Sequence, residues 1–259
     1  MNWIAELDLG KFLLFTLVFV RVSGICVTAP VYGSEEVPRQ VRALFAASIA
    51  LLIMPSQWHV EVVYPGSIFN YLAFVGSELL IGLSLGLGIH VLFSGIQLAG
   101  LVIGRVSGLM LADVFDPAMG ENISIFSRMY YLVAVAVFVC IGGHRLLMMG
   151  LLDTFRAIPP GMAQVPVSLG ETFTTILNQS FHLGFRAGAP VVAAVLVSTV
   201  VLGLIARTMP QLNILAVGFG LNSMLSLGIM GFSLGVAVWV FQEEVEPTIR
   251  MVMRALVGG

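Results

Sequence analysis

The sequence predicts an all-α fold, an integral membrane or membrane-assembled helical protein, and three observations carry that prediction. Of 259 residues, 58% are hydrophobic and only 10% are charged, against about 25% charged in an ordinary soluble domain. The mean hydropathy is +1.01. Long uncharged runs recur along the chain, several of them near the roughly 20 residues that a helix needs to cross a bilayer core. A chain this apolar excludes a soluble enzyme and a disordered tail. The formal net charge of −2 leaves no basic surface, so no nucleic-acid partner is expected.

Charges punctuate the helices in order. The first apolar run lies between Lys11 and Arg21. It is preceded by Glu6 and Asp8, where a secretory signal would be positive, and followed by Arg21 in place of a cleavage site. This first helix is therefore expected to stay in the final structure. Glu35, Glu36, Pro38, Arg39 and Arg42 form a short polar connection. Residues 43–60, ending around Pro55, are long enough for one helix, and 61–65 read as a turn. The tract 67–105 contains Glu78 and then 26 uncharged residues before Arg105. The segment 113–128 is the most polar, 129–143 is another apolar helix, and Pro159, Pro160 and Gly161 break the chain before a last apolar region, 172–241. Within that region only Arg186 and Arg207 are charged.

This gives about six helical segments. The 35 uncharged residues from 208 to 242 would make a helix of about 52 Å, too long for one span and short for two. A helical hairpin bent near Gly218, Phe219 and Gly220 is expected, since glycine permits a reversal. The tract 67–105 has the same awkward length. Both suggest long bent hairpins packed against other subunits rather than against lipid alone. Lys and Arg are spread over most connections, so the positive-inside rule has little to act on. The mildly basic Arg39/Arg42 connection is assigned to the cytoplasmic side.

Glycine supplies the strongest pattern. Gly82 and Gly86, then Gly100, Gly104 and Gly108, then Gly184 and Gly188, and Gly231 and Gly235 are each four apart. That spacing puts small residues on one helical face, where two backbones can approach closely. The face can serve packing within the chain or contact with other subunits. Arg21, Glu78, Arg105, Arg186 and Arg207 interrupt apolar runs and are costly in lipid. They read either as buried charges with a partner or as an ion path, with Glu78 the acid deepest in an apolar tract. Eleven of the twelve basic residues are Arg, which suits fixed, hydrogen-bonded roles.

Catalytic and metal signatures are missing from the sequence. His59, His90, His144 and His182 are far apart, with no His-Glu-x-x-His or cysteine partner. No nucleophile elbow or phosphate loop is present. Neither a cofactor nor a metal is called for. Cys26 and Cys140 lie in apolar runs and are expected to be buried free thiols, and His144, after two glycines, to cap or pack a helix end. The 13 methionines suit core packing, although Met110, Phe115 and Met119 fall in the polar, irregular segment and could line a deformable seal.

Several segments together resemble one family. They are Arg21-x-Ser23-Gly24 followed by Pro30, then Pro38-Arg39-x-x-Arg42, then Glu78-x-x-x-Gly82-x-x-x-Gly86. Phe115-Asp116-Pro117, Gly142-Gly143-His144, Thr154-Phe155-x-x-Ile158-Pro159 and Arg207-x-x-Pro210-Gln211-x-Asn213 follow. In this order and spacing, over about residues 20–240, they resemble FliR, a core protein of the flagellar type III export gate. The Phe-Asp-Pro and Pro-Gln-x-Asn segments lean to the flagellar branch over the injectisome one. The resemblance implies a non-enzymatic gate subunit in the bacterial inner membrane, at the flagellar basal body. It implies FliP- and FliQ-type partners, FlhB- and FlhA-type export proteins, surrounding lipid, and unfolded flagellar subunits as cargo. It also implies one export-gate domain over 1–259, with N-terminal helices in 1–108, a plug-like loop at 109–124, and C-terminal helices and tail in 125–259. Met110, Val114, Phe115, Asp116, Pro117 and Met119 become the plug residues, and Pro210, Gln211 and Asn213 a family motif. The alternative from another class is a secondary transporter of a small solute coupled through Glu78.

Overall fold

The computed structural model describes residues 9–34, 37–60, 66–108, 124–163, 166–209, 211 and 214–258. Among them are seven α-helices and no strand: α1 (Leu9–Thr28), α2 (Arg39–Ile53), α3 (Ile68–Val106), α4 (Ile125–Cys140), α5 (Gly143–Ala157), α6 (Ser168–Thr208) and α7 (Ile214–Val257). A 3-10 turn, Met54–Gln57, extends α2. The fold is all-α, as the composition predicts.

Proline and glycine set the boundaries. α1 stops at Thr28, two residues before Pro30, because a proline disfavours helical geometry in the residue before it. Pro38 stands immediately ahead of α2. Gly108, at φ 81°, turns the chain out of α3, and Gly142, at φ 73°, separates α4 from α5. Such positive φ values are cheap only for glycine. α5 ends at Ala157, ahead of Pro159 and Pro160.

Among the described residues, five helices are long and apolar enough to cross a membrane, or six spans if α4 and α5 together are counted as one. The anticipated hairpin at Gly218–Gly220 does not occur, since α7 runs unbroken through these glycines for 44 residues. Likewise α3 is a single helix of 39 residues. A reversal in an apolar segment would strip backbone N–H and C=O groups of partners where no water replaces them, and uninterrupted helix avoids that loss. α6 and α7 even continue through Pro190 and Pro247.

The chain divides into two compact units, Met1–Val91 with Gly142–Ile176 and Val245–Gly259, and Leu92–Ile141 with Leu177–Glu244. The first unit has a core of Leu17, Val22, Ile25, Ile81, Leu85 and Leu151. The second is centred on Phe93, whose ring meets Tyr131, Phe138 and Phe241 edge-on at 5.8, 5.6 and 5.0 Å. Cys26 is buried, but Cys140 is exposed. The expectation of two buried thiols holds for the first alone, because Cys140 lies on the outward face of α4, beside the exposed Val139.

Candidate functional site

In α1 the buried positions Leu14, Leu17, Val18, Val22 and Ile25 recur at helical spacing, and Arg21 falls inside that stripe. In α3 Glu78 belongs to the stripe that continues through Ile81, Leu85 and Ile89. Each charged residue thus sits on the face its helix buries, and the first unit brings the two together. Arg21 and Glu78 are fully buried, and Arg21 Nε donates to Glu78 Oε2 at 2.5 Å.

Glycine makes this meeting possible. Glu78, Gly82 and Gly86 are four apart on α3, on one face. A Cβ added at Gly82 would strike the carbonyl oxygen of Arg21, and one at Gly24 would lie 2.8 Å from the backbone nitrogen of Leu83. At Gly86 a Cβ would collide with the Thr28 hydroxyl. The α1 and α3 backbones are in direct contact there, and that places Arg21 beside Glu78, one turn before Gly82.

The other polar atoms of the pair are supplied by α5 and the loop after it. Arg21 Nη1 donates to the carbonyl of Ile158 at 3.0 Å and to Thr154 Oγ1 at 3.3 Å. The Thr154 hydroxyl in turn donates a hydrogen bond to the Leu151 carbonyl at 2.6 Å. Glu78 Oε1 accepts from the backbone N–H of Gly161 at 2.8 Å, where φ is 85°. The Arg21 guanidinium also lies over the Phe155 ring, 4.3 Å from its centroid, a favourable cation–π contact. Arg21 Nη2 is buried without a hydrogen-bond partner. Desolvating two such charges costs several kcal/mol per ion, and good geometry with further hydrogen bonds is what offsets it. The Thr154-Phe155-x-x-Ile158 segment, seen in sequence only as a motif, is the third side of this site. Its signal was its own spacing: Thr154 and Ile158 are one turn apart.

The other predicted buried charges behave differently. Arg105, Arg186 and Arg207 are exposed on the single chain. Arg105 and Arg207 occupy the last turns of α3 and α6, where the negative end of the helix dipole favours a cation. Arg186 stands with its guanidinium 5.5 Å from the Trp239 ring centroid. None of the three is a core charge.

The glycine faces also separate into classes. In the second unit Gly95 and Gly184 face each other's helix, a Cβ at Gly184 falling 2.6 Å from the Gly95 carbonyl oxygen. Gly188 lies against Ala99 at 3.7 Å, an ordinary contact. Gly100 touches the α4 backbone, 2.5 Å from a Cβ position to the Ser127 Cα, and Gly104 lies against the Ser124 hydroxyl. Ser127 Oγ donates to the Gln97 carbonyl at 3.0 Å across the same seam. Tyr130 pairs with Ser233 at 2.6 Å, and Ser233 hydrogen-bonds the Ala187 carbonyl. Gly108 departs from the expected triple, since its positive φ makes it the turn residue after α3 instead of a packing surface. Gly231 and Gly235 are exposed, with nothing within 4 Å of an added Cβ. Among the described residues, nothing packs on them.

Met110, Val114, Phe115, Asp116, Pro117 and Met119 lie outside the described residues, as do Pro210 and Asn213. Gln211 is an exposed turn residue. Among the described residues no group of three or more His, Cys, Asp or Glu is placed to hold a metal ion.

Membrane-length helices closed on each other by glycine, with further small-residue surface left open, define a membrane protein of the assembly-subunit class. The family model described as bacterial export proteins, family 1, matches residues 12–248. Similar curated proteins are the flagellar biosynthetic protein FliR of Bacillus subtilis (strain 168), 31% identical over 94% of this chain and 95% of its own, and that of Aquifex aeolicus (strain VF5), 29% identical over 84% of both. FliR of Escherichia coli (strain K12) is 29% identical over 88% of this chain and 85% of its own. The chain belongs to this export family, in its FliR branch, and is a membrane subunit of the flagellar protein-export apparatus. The family is one of structural export proteins, and membership gives no support to a small-solute transporter. Glu78, with both oxygens engaged, is an anchor in this structure.

Proposed function

We propose that the chain helps to form the closed pore through which unfolded flagellar proteins cross the inner membrane at the flagellar basal body. Its neighbours in that pore are FliP- and FliQ-type subunits, with FlhB- and FlhA-type proteins beyond them. The observation that carries the assembly reading is the open glycine face of α7. Gly231 and Gly235 are uncovered beside the exposed Phe232, at 69%, and Trp239, at 55%. A membrane protein that packs small residues in its own interior and leaves an identical spacing uncovered presents a surface for another helix.

Gly104 is the wrong place to test this, because its Cβ position meets Ser124 of the same chain. At Gly231 and Gly235 an added Cβ meets nothing within 4 Å, so Gly231→Leu with Gly235→Leu changes the outer face. The double variant is expected to accumulate and fold, yet to fail to co-purify with unlike helical subunits from mild detergent, with motility lost. Normal co-purification and motility would refute the assembly role of α7.

The segment 109–124 closes the pore in this reading, with Phe115 and its methionine neighbours as the deformable part. Deleting residues 112–120 is expected to leave assembly intact and to make cells leaky to small solutes. An unchanged leak would remove the plug role.

A further inference from the structure

A groove of about 340 Å³ runs between α1 and α2 in the first unit, lined by Phe19, Ser23, Cys26, Val27, Ala43 and Ala46, with Arg39 and Arg42 also on its wall. We propose that it holds one acyl chain of an anionic phospholipid, whose phosphate sits against Arg39 and Arg42. The position of the groove, between two helices of membrane length, and its charge favour that occupant.

Both walls are helices of membrane length, Gly10–Thr28 and Arg39–Gln57. The two arginines belong to the first turn of α2, next to the connection that leaves the apolar layer, where a headgroup lies. Below them the wall is almost wholly apolar. From Phe19 to Val27 is eight steps, about 12 Å along a helix.

Charge is distributed to match. Among the described residues, Arg39 and Arg42 are the charged side chains on the wall and no acid lines it. Arg42 Nη1 donates to the carbonyl of Gly33 at 3.2 Å, which fixes the guanidinium. Its Nε is buried without a hydrogen-bond partner. The charge of this held guanidinium, at the mouth of the groove, is what an anionic headgroup would meet. The start of α2 has no side-chain cap, so the positive end of its dipole adds to the same field. Glu35 and Glu36 precede the pair in sequence, outside the described residues.

The turn that holds this mouth is itself strained. Val31 has φ 77°, rare for a β-branched residue, and Gly33 donates its N–H to Ala29 at 2.8 Å. A Cβ at Gly33 would run into the Val27 carbonyl. The chain thus keeps a tight bend whose carbonyl at Gly33 is the acceptor that aims Arg42.

The test is native mass spectrometry of the full chain in mild detergent, titrated with phosphatidylglycerol or with phosphatidylcholine of the same acyl chains. Phosphatidylglycerol should bind about thirtyfold more tightly, from two basic side chains beside one phosphate. Arg39→Gln with Arg42→Gln should erase the preference for phosphatidylglycerol, weakening it far more than phosphatidylcholine. Arg39→Gln alone, which keeps the Arg42–Gly33 bond, should weaken phosphatidylglycerol about fivefold, with helical circular dichroism unaltered. Ala43→Leu, at an exposed wall position, should weaken both lipids. Equal binding of the two lipids, or a preference that survives the double variant, would overturn the proposal. A photo-crosslinker at position 43 in native membranes should yield a phospholipid adduct. A protein adduct would show that a neighbouring subunit fills the groove instead, and would equally overturn it.

Discussion

The α1–α3 seam and the outer face of α7 carry the same spacing of four between glycines and use it in opposite ways. At Gly82 and Gly86 the missing side chains are already replaced by another helix, to the point that one added methyl meets backbone. At Gly231 and Gly235 the same absence faces open space. Small-residue spacing therefore specifies close approach of helices, and only the surroundings decide whether the approaching helix is in the same chain. The closed seam has a further ingredient, a charged pair in line with its glycines. The α7 face has none.

Substitutions can break that contrast. The largest effect is expected from Glu78→Gln, which strands Arg21 in an apolar interior. We expect a loss of about 3–5 kcal/mol, read as a fall in thermal denaturation of the detergent-solubilised chain. Arg21→Met combined with Glu78→Leu should recover most of this, since removing both charges removes the need for either. A double variant as unstable as the single one would show that the pair contributes more than mutual neutralisation. Gly82→Ala comes next, at about 1–3 kcal/mol, because the atom it strikes is backbone and cannot rotate away. Tyr130→Phe, which deletes the hydroxyl that Ser233 meets in the second unit, should cost about 1 kcal/mol. The smallest effect has the opposite sign. Gly235→Ala should stabilise the single chain by up to about 1 kcal/mol through helix propensity while weakening recovery of the assembled complex. Destabilisation of the single chain would mean that α7 packs on its own chain after all.

Much of this was visible in the order of residues. The stripe of Leu14, Leu17, Val18 and Val22 encloses Arg21, and Glu78 stands in register with Gly82 and Gly86, so helical spacing alone puts each charge on its buried face. Spacing does not reveal their pairing, because 57 residues separate them and other arginines were equally eligible. Hydropathy also misplaced Arg105, Arg186 and Arg207. An apolar run reads the same whether it faces its own core or the outside of the chain. The hairpin at Gly218 failed for a related reason. Glycine allows a turn, but with no polar residue nearby to satisfy the opened backbone, continuing the helix leaves fewer groups unpaired. Gly108 was legible as a glycine in a row and illegible as the residue that ends the helix, which depends on where α3 runs out.

The partners of Arg21 also impose an order on biosynthesis. Arg21 is made 57 residues before Glu78 and 137 residues before Ile158. At about 5–20 residues per second, the first helix waits roughly 3–11 seconds for its counter-charge. During that interval an arginine in the middle of α1 is unfavourable in the bilayer by about 2.5–3.5 kcal/mol. α1 is thus a poor membrane segment on its own and a good one once α3 arrives. The first helix is expected to settle into the membrane late, together with the helix that neutralises it.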